Sequence, residues 1–223
     1  MIQFIKNSLR TKSTLYLFCM TMFCFMLSTM RLLRTDKVTL LFLNWNLFLA
    51  FLPWLITKWI NYKKIRNKIL FALMIISWIL LFPNSPYILT DLFHLKIRAS
   101  VPLWYDLIVI LAYAWTGLMF GFVSLQYILK LLGEKIERKY VDIIAILFLF
   151  ISAFGVYLGR YMRWNSWDII SNPFDIFHDV LDRFANPTDH GRTWGVTLLF
   201  GVFLNMIFFS IRMINEENID KKM

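Results

Sequence analysis

The apolar residues of this chain come in six long blocks bounded by lysine and arginine, at 14–30, 38–57, 65–82, 104–129, 141–158 and 194–211. Each is near the ~20 residues that cross ~30 Å of hydrocarbon at ~1.5 Å per residue. Blocks of this length read as membrane-spanning helices. Composition agrees: 59% of residues are hydrophobic and 17% charged, where a soluble domain carries about 25% charged residues. The expected fold is all-α: a polytopic integral membrane protein built as a six-transmembrane-helix bundle. No internal repeat or low-complexity linker divides it, so 1–223 reads as a single membrane domain.

The formal charge of +10 does not point to nucleic acid. Its basic residues sit in short loops beside apolar blocks, where the positive-inside rule places them, and no zinc-finger spacing or RNA-binding signature accompanies them. The first block follows Lys6, Arg10 and Lys12 but lacks a small-x-small cleavage site, so it reads as a retained helix. Cys19 and Cys24 lie inside it and point in different directions on a helix, which excludes a disulfide between them.

Orientation follows from the loops. Fifteen lysines and arginines fall on the side of the two termini and the loops near 58–68 and 130–139, against nine on the other. Both termini are therefore expected in the cytoplasm. The loops after the third and fifth blocks then face outward, and the two densest polar motifs lie in them.

The first motif is Pro83-Asn84-Ser85-Pro86-Tyr87, running on to Thr90-Asp91 and His94. The prolines are expected to end the third span abruptly, with Tyr87 at the interface. Asp91 and His94, three residues apart, share a helix face, and a carboxylate orienting an imidazole serves proton transfer or metal binding. The bland alternative is that Thr90 and Asp91 only cap a helix.

In the second motif, Arg160 and Arg163 lie about one helical turn apart among Tyr161, Trp164 and Trp167, followed by Asp168. Arginine forks suit phosphate and carboxylate, and tryptophan anchors at headgroup depth. The alternative is a structural anchor whose arginines pair with Asp168.

The same outer loop carries an amphipathic helix signal. Asn172-Pro173 opens it, Phe174, Phe177, Leu181 and Phe184 form an apolar stripe, and Asn186-Pro187 ends it. Asp175, His178, Asp179 and Asp182 lie opposite, spaced as a divalent ion's ligands would be, but such residues are also what any solvated helix face shows. No dedicated metal motif is present, so no metal and no cofactor is assigned.

Within the blocks, Asn44 and Asn46 suit hydrogen bonds between helices, and Gly117 and Gly121 suit a close helix crossing. Asp106 and Asp142 fall at block ends and read as interfacial. No charged residue is expected deep in a span, which weighs against an ion-coupled transporter.

The run from Leu81 to Leu95, with 46–50, 102–106 and the stretch from Gly155 through Asp168, resembles an uncharacterised bacterial membrane family, domain of unknown function 1361. Ser85 stands where family sequences often carry alanine. The resemblance implies a multi-spanning protein of the bacterial cell membrane and no activity.

Two functions fit these residues. One is a non-enzymatic protein whose outer polar cluster binds an anionic lipid headgroup or envelope component through Arg160, Arg163, Asn165, Trp167 and Asp168, with Asn84, Asp91 and His94 opposing them. The other is a membrane-embedded hydrolase or transferase acting on a lipid-linked substrate from the outer side, with Asp91 or His94 as general base and Arg160 and Arg163 holding phosphate.

Overall fold

The computed structural model describes residues 12–35, 38–65, 67–97 and 101–220. Lys6, Arg10, Lys37, Arg66, Arg98, Lys221 and Lys222, which enter the charge count above, lie outside them. The described chain is helical: α1 (Lys12–Thr35), α2 (Phe42–Lys63), α3 (Lys68–Leu81), α4 (Asn84–Tyr87), a 3-10 helix (Ile88–His94), α5 (Leu103–Gly133), α6 (Arg138–Tyr161), α7 (Asp168–Ser171), α8 (Pro173–Ala185) and α9 (Gly191–Asp220). It forms two compact units, Met1–Ile128 and Leu129–Met223.

Five helical stretches among the described residues are long and apolar enough to cross a membrane: Lys12–Thr35, Lys68–His94, Leu103–Gly133, Arg138–Met162 and Gly191–Ile214. The protein is an all-α, multi-pass membrane protein. The expected second span forms as α2 but is not among the five. Its apolar content is diluted by Asn44, Asn46, Pro53 and Lys58.

Local chemistry sets several boundaries. The Asn67 side chain accepts from the amides of Ile69 and Leu70 at 2.9 and 3.1 Å, capping α3. Lys64, at φ 45°, turns the chain out of α2 in the left-handed conformation. Pro173 opens α8 at its first turn, where its missing N–H costs nothing.

The core of the N-terminal unit joins α1, α2, the 3-10 helix and α5 through residues such as Leu17, Leu43, Leu47, Ile88, Ile110 and Tyr113. The two prolines do not end the third span there. After a turn at Phe82-Pro83 the chain continues through α4 and the 3-10 helix without a cis peptide. Pro86 lies in the first turn of α4, where the amide would lack an intrahelical acceptor anyway. The Gly117–Gly121 stripe of α5 admits this segment closely. A Cβ at Gly121 would come 2.6 Å from the Ser85 Cβ, and one at Gly117 2.8 Å from Ile88 Cγ2.

In the C-terminal unit α6 and α9 pack antiparallel. Asp142 meets Arg212 at 2.6 Å near one end, Phe150 lies against Gly201, and Phe154 stacks on Trp194 further along. A Cβ at Gly201 would collide with the Phe150 ring, so glycine permits this crossing. Phe184 of α8 packs against both Phe154 and Trp194.

Candidate functional site

Asp91 and His94 do come together. A 3-10 helix has about three residues per turn, so positions i and i+3 eclipse, and His94 Nδ1 lies 3.8 Å from Asp91 Oδ1. That is an ion-pair distance and too long for a hydrogen bond. Asp91 is fully buried, and its other oxygen accepts from Asn46 Nδ2 of α2 at 2.7 Å. The imidazole is partly exposed and rests against the Phe42 ring. A buried carboxylate fixed on one side thus faces the ring nitrogen of an accessible histidine, an arrangement that can orient the imidazole and stabilise its cation.

The other polar residues of the first motif act within the fold. Asn84 Nδ2 donates to the Leu81 carbonyl at 2.8 Å, and the Thr90 hydroxyl donates to the Tyr87 carbonyl at 2.6 Å. The Ser85 hydroxyl donates to the Ala50 carbonyl of α2 at 3.0 Å, within the turn preceding Pro53. The carbonyl that Pro53 deprives of its intrahelical donor is that of Leu49, so the Ser85 bond ties the two segments together one residue further on.

Sequence reasoning missed the polar seam between α1 and α5. Cys24 is hydrogen-bonded to Thr116 at 3.3 Å, Ser28 to Tyr113 at 2.7 Å, and Arg31 reaches Asp106. Tyr113 in turn donates to Asn44 Oδ1 at 2.5 Å. Asp106, in the first turn of α5, is buried within the protein. Arg31 Nε and Nη2 meet its two oxygens at 2.7 and 3.2 Å, and the side chains are 3% and 1% exposed. The available signal was spacing: Cys24, Ser28 and Arg31 fall at i, i+4 and i+7 on one face of α1. Their partners, some 75–92 residues away, carried no local sign.

In the second motif, α6 ends at Tyr161 and the chain turns back at Arg163, a non-glycine residue in the left-handed region at φ 62°. The turn lets the Trp164 amide donate to the Leu158 carbonyl at 3.2 Å. Arg163 is exposed and has no ion pair with a described residue, with Tyr161 and Trp167 exposed on either side in sequence. Asp168 Oδ2 accepts from the Asn165 amide and side chain at 2.7 and 3.1 Å, closing the turn that starts α7. Arg160 is half-buried.

The acidic stripe of α8 is not one solvated face. Asp179 accepts from the Trp164 indole at 2.7 Å and faces Arg183, whose guanidinium also donates to the Asp179 carbonyl and to Met162 Sδ. Arg183 is 5% exposed. Asp182 accepts from Asn186 Nδ2 at 2.8 Å and lies 2.7 Å from His190 Nε2. The Asn186 bond first, and then His190, hold the Asp182 carboxyl below the usual carboxylate range. Asp175 and His178 are exposed. Among the described residues no three of His, Cys, Asp or Glu are placed to hold a metal ion.

No curated protein and no solved structure shows a significant match to the chain. A family model described as protein of unknown function (DUF1361) matches residues 45–207, which takes in Asn46, the Asp91–His94 pair and the turn at Arg163. With that model spanning most of its length, the chain belongs to this family of membrane proteins.

Proposed function

We propose that this protein is a six-span membrane domain of the bacterial cell membrane with both termini in the cytoplasm. Its outer surface binds an anionic lipid headgroup or envelope component. The observation that carries this reading is the setting of Arg163. Its guanidinium projects from a left-handed turn, without an ion pair to a described residue, in a segment whose neighbours are exposed and apolar. Tyr161, Trp167, Ile170, Phe174 and Phe177 are all exposed, Ile170 and Phe174 at 85% each. Apolar surface of this kind is covered by acyl chains and interface, and a cation within it sits at headgroup depth. In this reading α8 lies in the interface as an amphipathic helix, and Arg160, Asn165 and Asp168 shape the turn that presents Arg163.

The test is native mass spectrometry of full-length protein equilibrated with phosphatidylglycerol or phosphatidylcholine vesicles. Arg163→Gly removes the guanidinium while suiting the backbone, so retention of the anionic lipid is expected to fall with the fold intact. Equal retention in both proteins rejects the site.

A second reading rests on Asp91 and His94. An imidazole held by a buried carboxylate is equipped for general-base chemistry on a lipid-linked substrate, with an arginine holding phosphate. Here His94→Ala is expected to abolish a cellular phenotype while anionic-lipid retention persists. Loss of both together, or of neither, rejects the enzyme.

A further inference from the structure

We infer that the N-terminal unit holds one anionic phospholipid, its phosphate at Arg34 and a chain along α1, at a site separate from the Arg163 surface. The last residues of α1 and the start of α5 enclose a cavity of about 560 Å³, with Met30, Leu33 and Arg34 on one side and Val101, Pro102 and Trp104 on the other. That volume lies within the ~300–1,000 Å³ range of small-molecule sites. One spanning stretch, Lys12–Thr35, ends here and another, Leu103–Gly133, begins, which sets the cavity at headgroup depth.

Contacts within the protein fix the walls. Arg31 meets both oxygens of Asp106, and the Tyr105 hydroxyl donates to the Leu27 carbonyl at 2.9 Å, tying the start of α5 to α1. Arg31 and Tyr105 also line the cavity, but the Arg31 charge is neutralised by Asp106. Arg34, about one turn further on, is exposed and makes no hydrogen bond or ion pair with a described residue. Among the described lining residues the cavity therefore carries one uncompensated cation, whose planar fork suits a singly charged oxyanion.

The rest of the lining is apolar, and on α1 it leads out of the cavity in one direction. Met30 and Leu33 share a helix face with Met26 and Met22, and all four are exposed, from 43% at Met22 to 76% at Leu33. At ~1.5 Å per residue this stripe runs about 16 Å from the cavity toward the middle of α1, near half of a ~30 Å hydrocarbon layer. A cation at the cavity followed by one leaflet's depth of exposed apolar side chains matches the order of phosphate and acyl chain in a phospholipid. A soluble anion would engage Arg34 alone and leave the stripe and the exposed Trp104 ring uncovered. The flexible thioethers of methionine suit a chain that moves.

The test counts tightly held phosphatidylglycerol by native mass spectrometry, on full-length protein exchanged into vesicles of that lipid and gently extracted. Wild type is expected to hold two, and Arg163→Gly and Arg34→Gln one each. Binding at the Arg34 site is expected to weaken about tenfold or more in Arg34→Gln, the worth of a charge-assisted hydrogen bond. Lys12→Gln removes a cation from the other end of α1 and is expected to leave the count at two. Met30→Trp fills the cavity from an exposed position and is expected to lower the count by one. Leu33→Trp takes its place if Met30→Trp fails to give a monodisperse protein. Arg34→Gln or a folded plugged variant that holds as many lipids as wild type overturns the proposal, even where Arg163→Gly loses one. Equal loss in Lys12→Gln overturns it too, because general charge attraction then accounts for the binding. Loss in Arg34→Gln with none in Arg163→Gly upholds it and rejects the Arg163 site instead, so the two surfaces read separately.

Discussion

At the residue scale, the decisive pair is Arg31 and Asp106, fully buried and bidentate. Desolvating two charges offsets much of their attraction, so the pair adds little net stability, but losing one partner strands the other. Arg31→Ala or Asp106→Ala alone is expected to destabilise by about 3–5 kcal/mol. Arg31→Met with Asp106→Leu is expected to recover most of that in thermal melts. Full additivity of the single losses would show that the two groups do not act as a pair.

Arg163 makes the opposite case, because its backbone is strained and its side chain is free of the fold. A left-handed residue with a Cβ costs roughly 1–2 kcal/mol, and glycine's entropy returns about 0.5–1 of that. Arg163→Gly is therefore expected to be neutral or slightly stabilising and Arg163→Val destabilising, in the same melts. Asp182 sets a pH dependence. Its carboxyl is held below the usual range by Asn186 and His190, so the stability it confers is present above ~4, the unfolded value, and is lost as pH falls through the folded value. Hydrogen exchange around α8 is expected to accelerate on acidification below about pH 4 in wild type, and this acid response is expected to shrink in Asp182→Asn.

At the element scale, the segment after α3 shows how proline is read by position. In sequence, two prolines around Asn84-Ser85 look like a stop. In the fold, Pro86 sits in a first turn and the chain stays helical to His94. What permits this is remote: Gly117 and Gly121 on α5 leave room for Ser85 and Ile88. The glycine spacing was legible in the sequence, while the segment it would admit was not. The two sites are expected to differ on substitution. At Gly121 the clash is with a Cβ held by its own backbone, so Gly121→Ala is expected to cost about 1–3 kcal/mol as an overpacked core does. At Gly117 the neighbour is the Ile88 Cγ2 methyl, which can move by rotation, so Gly117→Ala is expected to cost less. Equal losses in thermal melts would show that Ile88 is locked as firmly as Ser85.

At the scale of the whole molecule, hydropathy made the all-α membrane class legible because twenty-residue apolar blocks have few other uses. It left the polar interior illegible, because Asn46 and Asp91, or Arg31 and Asp106, find each other only through tertiary packing. That interior bears on the one span left open, α2. Its polar residues lowered its hydropathy, yet Asn44 and Asn46 are satisfied inside the N-terminal unit by Tyr113 and Asp91. Exposed Trp45 lies near one end of α2, and exposed Trp59 and Tyr62 near the other. They are about 21–25 Å apart along the axis at ~1.5 Å per residue, the spacing of two aromatic belts. The expectation is that α2 crosses. Single cysteines at Val38 and Lys64, in a background lacking Cys19 and Cys24, are then labelled from opposite sides by an impermeant maleimide. Labelling from one side would make α2 re-entrant and set the two termini on opposite faces. Cysteines at the exposed Ile97 and Ile170 are expected to share a side in either case, because α5 and α6 both lie between them. Only their separation would reject a common face for the Asp91 and Arg163 motifs.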